Sequence, residues 1–447
     1  MKTSEQIFAK IQEKIHSEEF KLKHRLSEKA FIRNCVLNFT FLLSFILNQL
    51  KKSNAAEIDT TNNFLKKEKS FTKSALSKAR LKLSPKSFIE LNDVLIEEFY
   101  KRKSNLKYFF GFKVLAVDGS KFQLTESNEL KSIYECPSNQ SGDNMNMALS
   151  SQLVDVVNGI VVHALISPYK TSERELADKH IEAFVVKRTE IPNLATSIFL
   201  FDRGYPGILL IAKLFYNNIN YLMRSGKGFL KEINDFVDSG KKDGVIKINL
   251  KRITKLEREE LLIKFPGINL NKEILVRIIV VVLDTGENEV LLTSLLDSKK
   301  YKCKKFKKFY FMRWGIETNY GLEKIRAEIE NFSGKSQIVI EQDFHASILH
   351  INMTTVLALE AKLELDKSQK IKHRKFKYEI NYSIALAYMK NRFIRALLNL
   401  DITPKNFCTE IKALMMKNLE AIRPGRQFKH KCKYPNKRFP INTRAVI

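Results

Sequence analysis

Three acidic residues stand where phosphodiester chemistry would need them. Asp118 follows the apolar run Val114 to Val117, and Asp202 follows Ser197 to Phe201. An aspartate at the end of a buried strand holds its carboxylate over the sheet edge from a rigid backbone. The glycines close by, Gly119 and Gly204, let a phosphate backbone approach. Glu317 lies in KKFKKFYFMRWGIETNYGLEKIRAEIE with Tyr310, Arg313 and Lys324, at offsets from Tyr310 of 3, 7 and 14 that share one stripe of a 3.6-residue helix. A carboxylate flanked by Arg and Lys on one face can hold a hard cation and grip phosphate. Taken singly, a strand-end Asp is an ordinary turn opener and a mixed-charge stripe an ordinary solvated helix face. The chemistry therefore rests on the three acids together.

Other ligand sets are poorly represented. None of the eight histidines forms HxxxH or HExxH, and His345 and His350, five apart, read as packing or surface positions. Cys35, Cys136, Cys303, Cys408 and Cys432 are scattered without a CxxC pair and read as free thiols. If a metal is used, carboxylates must hold it.

The elements that position these residues follow from periodicity. Residues 1–105 read as helical, and Ser70 to Phe99 looks like two helices broken near Ser84-Pro85. Lys73, Lys78 and Arg80 crowd the first of these, as in a DNA-binding arm. From Lys113 the texture changes to three strands, with a hairpin signal at Asn158-Gly159, then a helix, a strand ending at Asp202, a helix and a strand. That order is expected of a ribonuclease-H-like α/β core over 106–226. Residues 227–300 read as a β-rich insertion, and 301–362 as the second part of the core with the signature helix. Residues 363–447 read as helical, with a tail from Arg423 to Ile447 that holds eight Lys or Arg and no acid.

With those residues in place, the chain resembles DDE transposases of the insertion-sequence-four type, the group containing the transposon-five transposase. Tyr-x2-Arg-x3-Glu-x6-Lys is matched by Tyr310, Arg313, Glu317 and Lys324. Asp118-Gly119-Ser120 and Asp202-Arg203-Gly204-Tyr205 look like the first and second catalytic motifs, and Ser74 to Phe88 resembles a segment that precedes the core. The resemblance spans roughly residues 65–355. It implies two Mg²⁺ (or Mn²⁺) ions on Asp118, Asp202 and Glu317, with cleavage at transposon ends followed by strand transfer. It also implies DNA contacts by Tyr310, Arg313, Lys324 and Arg203, and a homodimer in the synaptic complex. Some relatives pass through a DNA hairpin with a flipped base stacked on an aromatic residue of the insertion. Here Phe265 is the only aromatic residue between Gly240 and Lys300, and Trp314, the only tryptophan, lies in the signature helix.

Composition agrees with a polyanionic partner. Lys plus Arg is 77 against 49 for Asp plus Glu, a formal net charge of +28, and 44% hydrophobic content supports a packed core. The most apolar run, Val36 to Leu50, is interrupted by Asn38 and Asn48 and is shorter than the roughly 20 residues of a membrane span. The amphipathic, charged N-terminus has no signal-peptide apolar region, so the expectation is a cytoplasmic protein without a membrane partner. Two rival functions use the same residues: a structure-specific nuclease on this core, and a catalytically inactive or domesticated DNA-binding relic.

Overall fold

The computed structural model describes residues 2–423, apart from 34, 49–50, 66–69, 103–105, 136, 138–143, 227, 284–285 and 372–374. The basic tail beyond Arg423 therefore lies outside the described residues, as do Cys136 and Cys432.

A mixed sheet forms the centre. Its first five strands are β1 (Lys113–Gln123), β2 (Met147–Asp155), β3 (Ile160–Pro168), β4 (Ser197–Phe201) and β5 (Asn220–Ser225). They lie in the order β3-β2-β1-β4-β5, with β1, β4 and β5 parallel and β2 antiparallel to both neighbours. This is the ribonuclease-H-like arrangement expected from the element order. β1 alternates between two cores, as a period-two strand covered on both faces must. Leu115 and Val117 join the core beneath the helical layer, while Val114 and Ala116 join the core beneath the signature segment.

The β-rich segment falls between Asp202 and Glu317, and its strands form no sheet of their own. β6 (Asp243–Asn249), β7 (Glu273–Val282) and β8 (Asn288–Thr293) extend the central sheet, with β8 antiparallel to β5 and β6 at the far edge. Edge hydrogen bonds on β5 need a partner, and a contiguous β segment with matching apolar residues supplies one. Buried Arg277 on β7 pairs with Asp243 on β6 at 2.6 Å and donates to the carbonyls of Leu295 and Asp297, which fixes the exit from the sheet.

Helices cover the sheet. The N-terminal set is α1 (Thr3–His16), α2 (Glu18–His24), α3 (Phe39–Leu47), α4 (Asn54–Phe64), α5 (Lys73–Arg80) and α6 (Lys86–Lys101). The apolar run near residue 40 is α3, a buried helix as expected, capped by the Asn38 side chain on the Phe41 amide. Among the described residues no helix is long and apolar enough to cross a membrane.

Downstream come α7 (Asn128–Tyr134), α8 (Glu173–Glu190), α9 (Ile208–Tyr216), α10 (Lys231–Asp238) and α11 (Lys255–Lys264). The signature segment contributes α12 (Phe306–Phe311) and α13 (Gly315–Gly321), and the 35-residue α14 (Gln337–Ile371) follows. Buried polar side chains lock this last helix to distant parts of the chain. Asn352 bonds both backbone groups of Val161 on β3 and the Asn92 side chain on α6, and Glu360 accepts from the amide and hydroxyl of Ser4. Buried groups so satisfied specify one docking geometry.

Candidate active site

Parallel pairing of β1 with β4 runs through Ala116 opposite Leu200. Carried two residues further, the same register sets Asp118 beside Asp202 at the carboxyl end of β4, where open α/β sheets bind their ligands. Asp118 does not end its strand as the sequence suggested: β1 continues to Gln123 because β2 pairs with it that far. Each aspartate is held locally. Asp118 takes the Gly119 amide on Oδ1 at 2.9 Å, and Asp202 Oδ1 accepts from the Tyr310 hydroxyl at 3.0 Å.

The third carboxylate arrives from α13, drawn close to the sheet by Gly315. A Cβ there would stand 2.8 Å from that of Val156, so only glycine permits this approach. The Tyr320 hydroxyl donates to the carbonyl of Asp118 at 2.9 Å and clamps the helix to the strand. Glu317 then faces the aspartates across one guanidinium. Arg313 reaches Glu317 Oε1 at 3.0 Å, Asp118 Oδ2 at 3.7 Å and Asp202 Oδ1 at 3.9 Å, although its own side chain is only 5% exposed.

The electrostatics follow from burial. Burial pushes the Asp118 carboxyl up to about 6; the Gly119 amide and Arg313 oppose the rise, while Glu173 and Asp202 add to it. Burial also raises the Tyr310 hydroxyl, and nearby Asp202 raises it further, so it stays a donor. For Arg313, burial works against the charge, but Tyr310, Asp202, Asp118 and Glu317 outweigh it and hold the guanidinium protonated. Among the described residues its Nε has no hydrogen-bond partner.

The donors suit a hard divalent cation: three carboxylates, with an uncompensated desolvation cost at Asp118 that bound positive charge would offset. Among the described residues no group of three His, Cys, Asp or Glu forms a ready-made metal cage. Arg313 stands among the three carboxylates. The set fits metal on condition that the guanidinium moves aside.

The other residues singled out by the sequence divide. Tyr310 and Arg313 sit with the carboxylates. Lys324 does not reach them; its ammonium donates to the Lys121 carbonyl at 2.5 Å, three residues past Asp118. The reason is that the signature segment is not one regular helix. A 3₁₀ turn (Met312–Trp314) and a π turn (Leu322–Arg326) interrupt it, so a 3.6-residue stripe does not persist to position 324.

Arg203 is exposed beside a cavity of about 370 Å³ lined by Arg224, Gly226 and Glu289. Lys73 and Lys78 are exposed on α5, but Arg80 corrects the expectation of a DNA contact. It is buried and bonds Asp343 at 2.7 Å and Gln342 at 2.8 Å on α14, because it lies on the inward face of α5. His350 is buried and His345 half-buried, and burial pushes each imidazole down to about 4, consistent with packing. Phe265 is half-buried against Tyr216, with ring centroids 5.5 Å apart, whereas Trp314 is 50% exposed with Arg313 over its ring.

Sequence reasoning missed two surrounding groups. Glu173 at the start of α8 lies over Gly119, its carboxylate 2.9 Å from where a Cβ would be. Glu323 is fully buried in the π turn. It accepts from Gln152 at 2.8 Å and Asn319 at 2.6 Å, and burial pushes its carboxyl up to about 8. Register pairs Gln152 with Asp118, so this network supports the site from below. A lone Glu within a charged helical run carries no signal of either role.

A ribonuclease-H-like sheet whose adjacent strands carry two aspartates, joined by a glutamate from a later helix, defines a class of polynucleotidyl-transfer enzymes. The chain belongs to the DDE transposases, since the family model described as transposase DDE domain matches residues 110–353. It is thus a DNA-cleaving transposase. No match was found among curated proteins. Among solved structures, the chain is similar to a piggyBac transposase in a synaptic complex with hairpin DNA, seen by cryo-electron microscopy. The TM-score is 0.43 and the identity 10%, over 92% of this chain and 84% of that one.

Proposed function

We propose that Asp118, Asp202 and Glu317 are the catalytic carboxylates of a cut-and-paste transposase of the insertion-sequence-four type, and that they hold two Mg²⁺ or Mn²⁺ ions. When bound, such ions activate the attacking oxygen and stabilise the leaving one. The observation that carries this reading is the convergence of the three carboxylates, from β1, the end of β4 and α13, on one guanidinium within 4 Å.

The chain's own residues set the geometry. Tyr310 orients Asp202 through its hydroxyl, and Tyr320 fixes the backbone of Asp118. Arg313 neutralises the cluster before DNA arrives. Swung outward, it becomes a phosphate ligand, a role to which the planar guanidinium is suited. Arg203 and Lys324 flank the site as further phosphate contacts, and the N-terminal region with Lys73 and Lys78 recognises the transposon end. A homodimer synapses two ends.

Asp118→Asn, Asp202→Asn and Glu317→Gln are each expected to abolish Mg²⁺-dependent cleavage of end DNA while binding, read by gel shift, persists. Cleavage retained by any one of them removes that residue from the catalytic set.

A further inference from the structure

Immediately before the signature segment, seven of the ten residues from 299 to 308 are lysine, and none is acidic. The whole chain carries 77 Lys plus Arg in 447 residues, so a generally basic composition does not account for this density.

The run is built, not loose. Asp297 opens it by accepting from the amides of Lys299 and Lys300, both at 2.9 Å, and buried Arg277 holds the Asp297 carbonyl from below. On α12, Phe306, Phe309 and Tyr310 are buried, and the lysines between them all face solvent. Phe109 and Phe110 pack on Phe309 with centroids 5.2 and 5.5 Å away. The Lys305 ammonium lies 4.8 Å from the Phe110 centroid and that of Lys308 5.9 Å from that of Phe109. Aromatic faces thus help to place two of the charges.

Among the described residues, Lys299, Lys300, Lys302, Lys304, Lys305 and Lys308 form no ion pair. Like charges so concentrated on a rigid support repel one another, and a polyanion lying across them removes that cost while releasing its counterions. The ridge ends at Tyr310 and Arg313, so a strand tracking along it would be led to the carboxylates.

We infer that residues 299–308 form a backbone-phosphate track that delivers a DNA strand to the active site. The inference rests on the transposase reading above. A regular duplex and a transposon end offer the same phosphates, so the two sources are separated by experiment.

The full-length chain, in chelator, is titrated with two duplexes, one from the DNA bordering the reading frame and one of random sequence, across salt. In the variant Lys304→Ala/Lys305→Ala/Lys308→Ala, the slope of log K against log salt is expected to fall by about 2 to 3, from about 0.9 per lost phosphate contact. Arginine at the same three positions restores the slope, and thermal melting is unchanged because all three side chains are exposed. A fall with both duplexes supports a track for any DNA, and a fall confined to the bordering duplex supports a track for the transposon end. An unchanged slope with both, while the wild type binds, overturns the track alone. Failure of the wild type to bind either duplex overturns the transposase reading and the track together.

Discussion

Glu323 offers a measurable consequence of burying an acid beneath the active site. Its carboxyl is completely enclosed, meets among the described residues the amide groups of Gln152 and Asn319 at hydrogen-bond distance, and is pushed from 4.5 up to about 8. The sign follows from linkage. A carboxyl raised in the folded state stabilises fully below 4.5, where both states are protonated. It loses that contribution as pH rises towards 8, because only the unfolded chain can release the proton. Each pH unit across that window costs about 1.4 kcal/mol, so wild type loses at most about 5 kcal/mol between the two values.

Glu323→Gln removes the titration and keeps a polar side chain of the same size, with Gln152 free to turn its amide. Thermal denaturation of both proteins at several pH values from 5 to 8.5 is the assay. Wild type and variant should be closest at pH 5, and the variant should become progressively the more stable as pH rises. Glu323→Leu should destabilise throughout that range, since Gln152 and Asn319 lose their acceptor in a buried site. Parallel curves for wild type and Glu323→Gln would show that Glu323 is not held protonated, and the account of this network would fall.

Two further outcomes are expected. Arg80→Ala breaks the buried pair with Asp343 and should cost about 3 to 5 kcal/mol in denaturant unfolding, leaving the salt slope of DNA binding unchanged. Tyr310→Phe removes the one side-chain hydrogen bond to Asp202 seen among the described residues. Cleavage should slow roughly ten- to hundredfold, from the 1.5 to 3 kcal/mol of a bond to a charged acceptor, while gel-shift binding persists.

The chain's local chemistry was legible wherever one element sufficed to create it. Both apolar runs are strands, because burial on both faces demands continuous apolar sequence, and β4 stops just before Asp202; β1, however, does not end at Asp118 but runs on to Gln123. Element order alone pointed to the ribonuclease-H-like core, and Tyr310, Arg313 and Glu317 do face one centre.

What depended on contact between distant segments was hidden. Arg80 and Lys78 look alike in sequence, yet Asp343 on α14 takes one inward and leaves the other in solvent. The signature segment bends through 3₁₀ and π turns to satisfy packing against β1 and β2, which carries Lys324 off the stripe that regular periodicity assigns it. Strands β6 to β8 joined the central sheet because β5 offered an edge, a fact absent from any single segment. Periodicity and strand ends are properties of neighbouring residues and can be read from order. Burial, ion pairing and proton affinity depend on which remote groups arrive, and only the assembled chain decides that.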